Sequence, residues 1–589
     1  MLTGCILFKF CDAGMFNRYY EDELNKLKGL AVEFAQNNPA LAPMLSGSSA
    51  DPDVERLLEG VAFLTGLTRQ KLDDEFPEFV QELANLLFPH YLRPVPASTL
   101  INFAPKGAVS ETVRIPAGTE LASVPVDGTP CRFRTSHDLN VQPLRIAEVN
   151  LLSHAGAAPV LMMDFDLQGL DLGQWQSDSI RLFLGSGYAE AAKLLLLLTN
   201  HVTHVRISGS GGERFDLGTK GLRASGFDHE LLPYPSHAFG GFRSVQEFFV
   251  QPEKFLFIDI EGLQRWMSRG KGSSFSIFIT LDHLPDWMPE IREDSFLLNV
   301  TPAINLFPHA ADPISHEHRV TEYRVIPEGK NRLHYEVYAI DEVIGYQQGA
   351  PRERVYVPFG LYRHDGRGAK LSYRTTLRSA TVGRGNEMFL SVNYPPGESP
   401  LPETLSIRIS CTNRSLPESL KLGDISQPTS SSPDRMSFSN IRPVMPAQNP
   451  PAGEALLWRL ISHVSLNFLS IANAENLQAM LNLYVFSERQ EQGAEVANRR
   501  RIDGIQEVSA TRETRLIGRG SILRGQSIRI KCRQDHFAGI GDMYVFGCVL
   551  ERFLADYAGI NSYTRVELED AFSGTVFKWP PRLGQQPLL

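Results

Sequence analysis

Proline and glycine punctuate this chain so densely that few long helices or uninterrupted strands can form. The sequence holds 38 prolines and 47 glycines in 589 residues, and neither type suits the interior of a helix or strand. A loop-rich, strand-rich body with many tight turns follows. Material for packed cores is present, since 42% of residues are hydrophobic and 10% aromatic, well away from the composition of disordered chains. At about 150 residues per domain, a chain of this length holds roughly three to five folded units. Its 58 basic and 67 acidic residues leave a formal charge of -9, which argues against the strongly positive field of a nucleic-acid surface.

Six cysteines (Cys5, Cys11, Cys131, Cys411, Cys532 and Cys548) are too few for a disulfide scaffold, and none stands in a CxxC or Cys/His arrangement with zinc spacing. A reducing compartment is the simplest reading. The most apolar run, Leu194–Leu198, is five residues long between Lys193 and Thr199, against about 20 for a bilayer span. No direct membrane insertion is expected. Residues 1–14 lack a basic leader and Lys9 breaks their apolar stretch, so no secretory signal is read there. Met15 stands just before the first amphipathic pattern, which makes residues 1–14 an upstream extension in this reading.

Helical periodicity begins with Tyr20, Leu24, Leu27, Leu30, Ala31 and Phe34, whose spacing predicts a helix over about 18–36. Asp51-Pro52-Asp53 supplies an acidic N-cap, a proline in the first turn and a second carboxylate near the positive end of the helix dipole. Behind it, Val54, Leu57, Leu58, Val61, Leu64 and Leu67 mark an apolar face, and a third helix is predicted from Pro77 through Leu83 to Leu87. Residues 15–97 thus read as a helical docking module. From Ser98 the texture changes to short β-type runs. Residues 98–298 read as a β-rich domain with inserted helices at 188–199 and 244–250, and 299–425 as a second β-rich domain. Residues 426–453, with Thr429-Ser430-Ser431-Ser432-Pro433, Pro446, Pro450 and Pro451, read as a Pro/Ser-rich linker. Residues 454–589 read as a mixed α/β C-terminal domain, with helices around Leu456–Phe468 and Leu477–Tyr484 and a long final helix at 543–557. The expected fold class is α+β multidomain: an N-terminal helical module, β-rich middle domains and a mixed α/β end.

The motifs that would carry chemistry are weak. Gly185-Ser186-Gly187 lacks the ending of a P-loop, and Gly209-Ser210-Gly211-Gly212 has no dinucleotide fingerprint. The pairs His201/His204 and His316/His318 match no zinc pattern and read as solvated or capping histidines. There is no GxSxG elbow, and Cys411 ends a strand where Thr412, Asn413 and Arg414 suit a structural turn. Asp164 and Asp166, or Glu567, Glu569 and Asp570, offer no spacing for a general acid and base. No catalytic residue, metal or cofactor is assigned, and a β-rich hydrolase is the competing class. Arg499, Arg500 and Arg501 form the densest basic cluster and read as a partner-docking patch or a solvated face.

Several segments together resemble one family, the TssF (VasA/ImpG) baseplate subunits of the bacterial type VI secretion system. They include Tyr19-Tyr20-x-x-Glu23-Leu24, Asp51-Pro52-Asp53-Val54-Glu55-Arg56-Leu57-Leu58, Lys71-Leu72-Asp73-Asp74-Glu75-Phe76-Pro77 and Phe88-Pro89-His90-Tyr91. The likeness continues in Gln246-Glu247-Phe248-Phe249-Val250-Gln251-Pro252-Glu253-Lys254-Phe255, Asn305-Leu306-Phe307-Pro308, Cys411-Thr412-Asn413-Arg414, Trp458-Arg459-Leu460-Ile461 and Phe546-Gly547-x-Val549-Leu550-Glu551-Arg552. Residues before Met15 and the 426–451 stretch carry no such motif.

The resemblance implies a non-enzymatic wedge component, in which two TssF copies join one TssG. The trimer would bind TssE and TssK and surround a VgrG spike, priming tube and sheath polymerisation. It also implies a cytoplasmic protein recruited with the baseplate to the inner face of the membrane. A wedge protein of a phage-like contractile injection particle shares the same physics. Three short helices make a thin core alone, so the faces bearing Leu24, Leu27, Leu57, Leu64 and Leu83 are expected to meet TssG or the second TssF. The 426–453 linker is expected to let identical copies adopt different domain angles.

Overall fold

The computed structural model describes residues 20–35, 52–68, 90, 93–107, 111–154, 156–209, 214–234, 240–347, 353–359, 371–379, 385–394, 401–449, 473–485, 492–517, 521–556, 558 and 562–584. Its contacts separate two compact units, Met1–Leu86 with Gly453–Leu457, and Leu87–Ala452 with Trp458–Leu589.

In the first unit, helices α1 (residues 20–35) and α2 (residues 52–68) stand where the periodicity predicts them. Pro52, which has no amide hydrogen to leave unpaired, opens α2. Lys28 of α1 and Glu55 of α2 approach at 3.3 Å. The predicted third helix with Leu83, the helix around Leu456–Phe468 and residues 1–14 all lie outside the described residues.

The second unit mixes helices and sheets, as the α+β expectation required. Its first sheet has six antiparallel strands in the order Gln427–Pro428, Glu120–Val126, Thr129–Thr135, Val300–Ile304, Ser98–Pro105, Met436–Asn440. Ile101, Phe103, Leu121, Phe133, Met436 and Phe438 share its core. Two of these strands come from the stretch read as a linker, and that reading is corrected. Its Ser/Thr content is used for pairing: the Thr429 and Ser432 hydroxyls each donate to the Glu120 carbonyl at 2.7 Å, and the Ser431 hydroxyl accepts from the Glu120 amide at 2.8 Å. A segment tied into a sheet at Gln427–Pro428 and Met436–Asn440 is a poor hinge, so the expectation of variable domain angles loses its basis over 427–440.

Three further sheets follow. The strand Val160–Leu167 alternates strictly, with Leu161, Met163, Phe165 and Leu167 buried and Asp164 and Asp166 on the other face. It lies between Leu144–Leu152 and Ser274–Leu281, and Val202–Gly209 and Arg214–Asp216 complete that sheet. A four-stranded sheet joins Leu222–Ala224, Phe257–Glu261, Ser179–Leu184 and Phe296–Leu297. An eight-stranded sheet, built mainly on Glu403–Thr412 and Glu336–Gln347, forms the second β body around Phe307, Val343, Leu405, Ile407 and Ile409.

Helices α3 (Tyr188–Asn200) and α4 (Gly240–Val250) interrupt the β texture, α5 (Ala474–Asn482) and α6 (Gln492–Asp503) follow, and α7 (Ile540–Asp556) is the last. α7 is the crossover between the parallel strands Ser521–Cys532 and Ser562–Asp570, and it is buried along nearly its whole length. A helix apolar all round must be enclosed, and α3 and α4 supply the enclosure. The run Leu194–Leu198 is buried in the same place, which accounts for five consecutive leucines without any need for a lipid environment. At the crossing, Gly541 lies so close to α3 that a Cβ there would strike the backbone of Ala192 and Lys193. The expectation of a separate C-terminal domain is therefore corrected: α7 packs on α3 and α4 as well as on the strand Ser562–Asp570, so its region falls in one compact unit with the first β-rich region.

Candidate docking surfaces

The first unit distributes its apolar side chains in an unusual way. α1 and α2 bury small residues, Ala31, Ala35 and Ala62, and leave Leu30, Val32, Phe34, Leu57, Val61 and Leu64 exposed. Leu57, Val61 and Leu64 follow one another at four and three residues, so they form one stripe along α2, with Leu57 69% and Leu64 65% exposed. Single exposed leucines are ordinary, but a continuous apolar stripe makes this face a candidate interaction surface. Of the predicted contact residues, Leu57 and Leu64 are thus presented outward and Leu24 and Leu27 are half-buried. Leu83 lies outside the described residues.

The three arginines separate. Arg499 is exposed and pairs with Glu495 one helical turn away at 2.7 Å, while Arg500 donates to the Asp535 carbonyl at 2.7 Å. Arg501 turns inward. Its Nε donates to Asp542 Oδ2 at 2.9 Å, its guanidinium also reaches Asn498 Oδ1 at 2.7 Å, and Tyr188 donates its hydroxyl to Asp542 Oδ1 at 2.7 Å. Attraction to Asp542 and Tyr188 raises the Arg501 pKa despite the cost of burial, and burial beside Asp542 pushes the Tyr188 phenol well above its usual value. Arg501 is therefore a pin joining α3, α6 and α7, and the docking assignment for it is corrected.

The motifs behind the family likeness are also pins. Glu247 on α4 is paired with Lys254 at 2.6 Å, both side chains being 2% exposed, and its other oxygen accepts the amides of Leu231 and Leu232 at 2.7 and 2.9 Å. Burial pushes the Lys254 ammonium below its usual range against the attraction of Glu247. Gln251 accepts from the Ser98 hydroxyl at 3.0 Å, and Glu253 pairs with Arg442 at 2.9 Å. Asn305 and Asn413, 108 residues apart, clasp each other: each side chain bonds the other residue, at 2.8 and 2.7 Å, and both reach the backbone of Arg132. This clasp joins the two β bodies. Arg414 beside it holds a left-handed backbone at φ 53, and Cys411, buried, has its thiol pushed well up by burial.

Two clefts open on the second unit. One of about 190 Å³ is lined by Asp138, Gln142, Ser179, Arg181 and His229, but the Arg181 guanidinium is committed to Asp259 through two bonds of 2.8 and 2.9 Å. The other, of about 320 Å³, is walled by Phe249, Val250, Met445, Tyr484 and Val485. In the second, the Tyr484 hydroxyl lies 3.1 Å from Nε2 of the buried His90, and both rings stack on Phe242, so the pair is packed into the wall. The scattered carboxylates are engaged elsewhere: Asp166 with Arg145 at 2.8 Å, Glu567 with Arg529 at 3.2 Å, and Asp570 with the Ser573 amide at 2.8 Å.

Outward-facing apolar helices in one unit, and motifs spent on holding the other together, define a scaffold subunit of a larger assembly. The chain belongs to the TssF family of the type VI secretion system, whose model matches residues 13–586. It is 32% identical to the type VI secretion system component TssF1 of Pseudomonas aeruginosa, over 97% of this chain and 99% of that one. Among solved structures it is similar to a chain of the TssK-TssF-TssG baseplate subcomplex seen by cryo-electron microscopy, at 29% identity and a TM-score of 0.77, covering 91% of this chain and 99% of the other. A chain of the type VI baseplate complex shares the fold at 24% identity, a TM-score of 0.58 and coverages of 97% and 100%. Among the described residues, no helix is long and apolar enough to cross a membrane.

Proposed function

We propose that this chain is a baseplate wedge subunit of a type VI secretion system and acts by docking rather than by catalysis. Its family and its likeness to a chain of a TssK-TssF-TssG subcomplex support the assignment. The observation that carries the mechanism is the outward stripe Leu57, Val61 and Leu64 on α2. In this reading the first unit lends α1 and α2 to a helix bundle with TssG or a second TssF copy, in a wedge of two TssF and one TssG. The second unit stays rigid under load because buried ion pairs and the Asn305–Asn413 clasp fix its sheets. TssK and TssE join this wedge, which then surrounds the VgrG spike and starts tube and sheath growth at the inner face of the cytoplasmic membrane.

Co-expression with TssG and TssK of the same source, followed by native mass spectrometry, tests the proposal. A complex holding two copies of this chain per TssG is expected. Elution of the co-expressed chain apart from both partners, with no complex formed, would overturn it.

A further inference from the structure

His201 follows α3 and leads into the strand Val202–Gly209, while Asp282 and His283 follow the end of the strand Ser274–Leu281. These strands are antiparallel neighbours with Val202 opposite Leu281, and the Asp282 amide donates to the His201 carbonyl at 2.9 Å. Sheet register therefore fixes side chains 81 residues apart at one corner. Asp282 Oδ1 lies 3.0 Å from His201 Nδ1 and 3.0 Å from His283 Nδ1. One ligand atom from each of the three residues falls within 4.8 Å of the others, and no other group of three or more such side chains does so among the described residues.

Two ordinary ion pairs do not account for this corner. Asp282 Oδ1 also accepts the His283 amide at 2.7 Å, so three nitrogens converge on one carboxylate oxygen that offers about two lone-pair sites. One imidazole is therefore left with its Nδ1 facing the oxygen and no acceptor position to fill, the arrangement in which a neutral ring can turn a lone pair to a cation. Ligands about 2.0–2.1 Å from a tetrahedral ion lie about 3.4 Å apart; each imidazole now stands 3.0 Å from Asp282 Oδ1, and the three ligand atoms, within 4.8 Å of one another, would close around the ion. The His201 ring is already oriented by edge contacts with Trp287 at 5.5 Å and His283 at 4.9 Å.

We propose that His201, Asp282 and His283 bind a divalent transition-metal ion of the zinc class, with water in the remaining position. Two imidazole nitrogens and one carboxylate select zinc, cobalt, nickel or copper over magnesium and calcium, which prefer all-oxygen shells. His204, the neighbour that sequence spacing would pair with His201, lies instead 3.6 Å from Asp216. The bound ion would clip the end of α3 to the strand beside it.

Equilibrium binding of zinc to the full chain, freed of metal by chelation, tests the site, with cobalt as the optical probe. His283→Ala is the main variant because that side chain is 60% exposed, and His201→Gln is the second. We expect one zinc per chain, visible cobalt bands of low coordination number, and no competition from magnesium. Each variant should weaken zinc by more than the about 10-fold cost of losing even an outer-shell partner, and zinc should raise the melting temperature of the parent chain only. Equal zinc binding by the parent and His283→Ala, or none by the parent, would overturn the proposal.

Discussion

Asp542→Ala removes the acceptor on which the second unit converges. The Asp542 side chain is fully buried and the Arg501 side chain 10% exposed. Its two oxygens satisfy Arg501 Nε at 2.9 Å, the Ala538 amide at 3.0 Å and the Tyr188 hydroxyl at 2.7 Å. Taking one partner from a buried ion pair costs about 3–5 kcal/mol, because the other charge is left uncompensated. Unfolding entropy near 2.1 cal/mol/K per residue, over a unit of roughly 500 residues, turns that into a fall of about 3–5 °C in melting temperature. Calorimetry on the purified chain reads it directly. Replacing both partners with apolar residues of similar volume, Arg501→Met with Asp542→Leu, should recover most of the loss. If Asp542→Ala shifts the transition by less than about 1 °C, the pin contributes nothing and its place in the account is wrong.

The exposed neighbour supplies the contrast: Arg500→Ala should change stability by no more than about 0.5 kcal/mol, measured in the same scans. Gly541→Ala should destabilise by about 1–3 kcal/mol, since its methyl meets the α3 backbone rather than a side chain that can move. His137 is 3% exposed, with its ring centroid 4.7 Å from that of His229 in a tilted arrangement; burial, then the charges of Lys254, His229 and Arg181, hold its pKa well below 6.5. The unfolded chain therefore takes up a proton that the folded chain refuses, so stability falls as pH drops below about 6.5, by up to about 1.4 kcal/mol per pH unit for this group. Urea midpoints should show a shallower acid limb for His137→Phe, and an unchanged limb would assign the slope to other groups.

The sequence made α1, α2, α3, α4 and α7 legible because each combines apolar periodicity with a turn or cap signal. α6 was not legible as a helix: Gln492–Asp503 has few apolar residues and no apolar stripe, and it is held by tertiary bonds, Arg501 to Asp542 and Asn498 to the Phe249 carbonyl at 2.9 Å. The linker was misread because serine and threonine look alike whether they solvate a loop or, as at Thr429 and Ser432, tie one strand to another. The C-terminal region looked separate because α7 finds its partners far back in the chain, as the 354-residue span between Tyr188 and Asp542 illustrates. Of the proposed docking residues, Leu57 and Leu64 share one exposed face of α2, as their spacing predicts, whereas Arg501 shares its composition with Arg499 and Arg500 and differs from them only in which way it points.

The stripe on α2 is the point on which the account stands or falls. Leu57 and Leu64 are 69% and 65% exposed, so covering both in a partner is worth about 3 kcal/mol, on the order of a hundred-fold in affinity. Pull-down of TssG by the chain carrying Leu57→Asp and Leu64→Asp measures this directly, with calorimetry of the same sample as the folding control. The account predicts that TssG is lost while the main unfolding transition stays in place. TssG recovered in undiminished amount and at the same stoichiometry would contradict it.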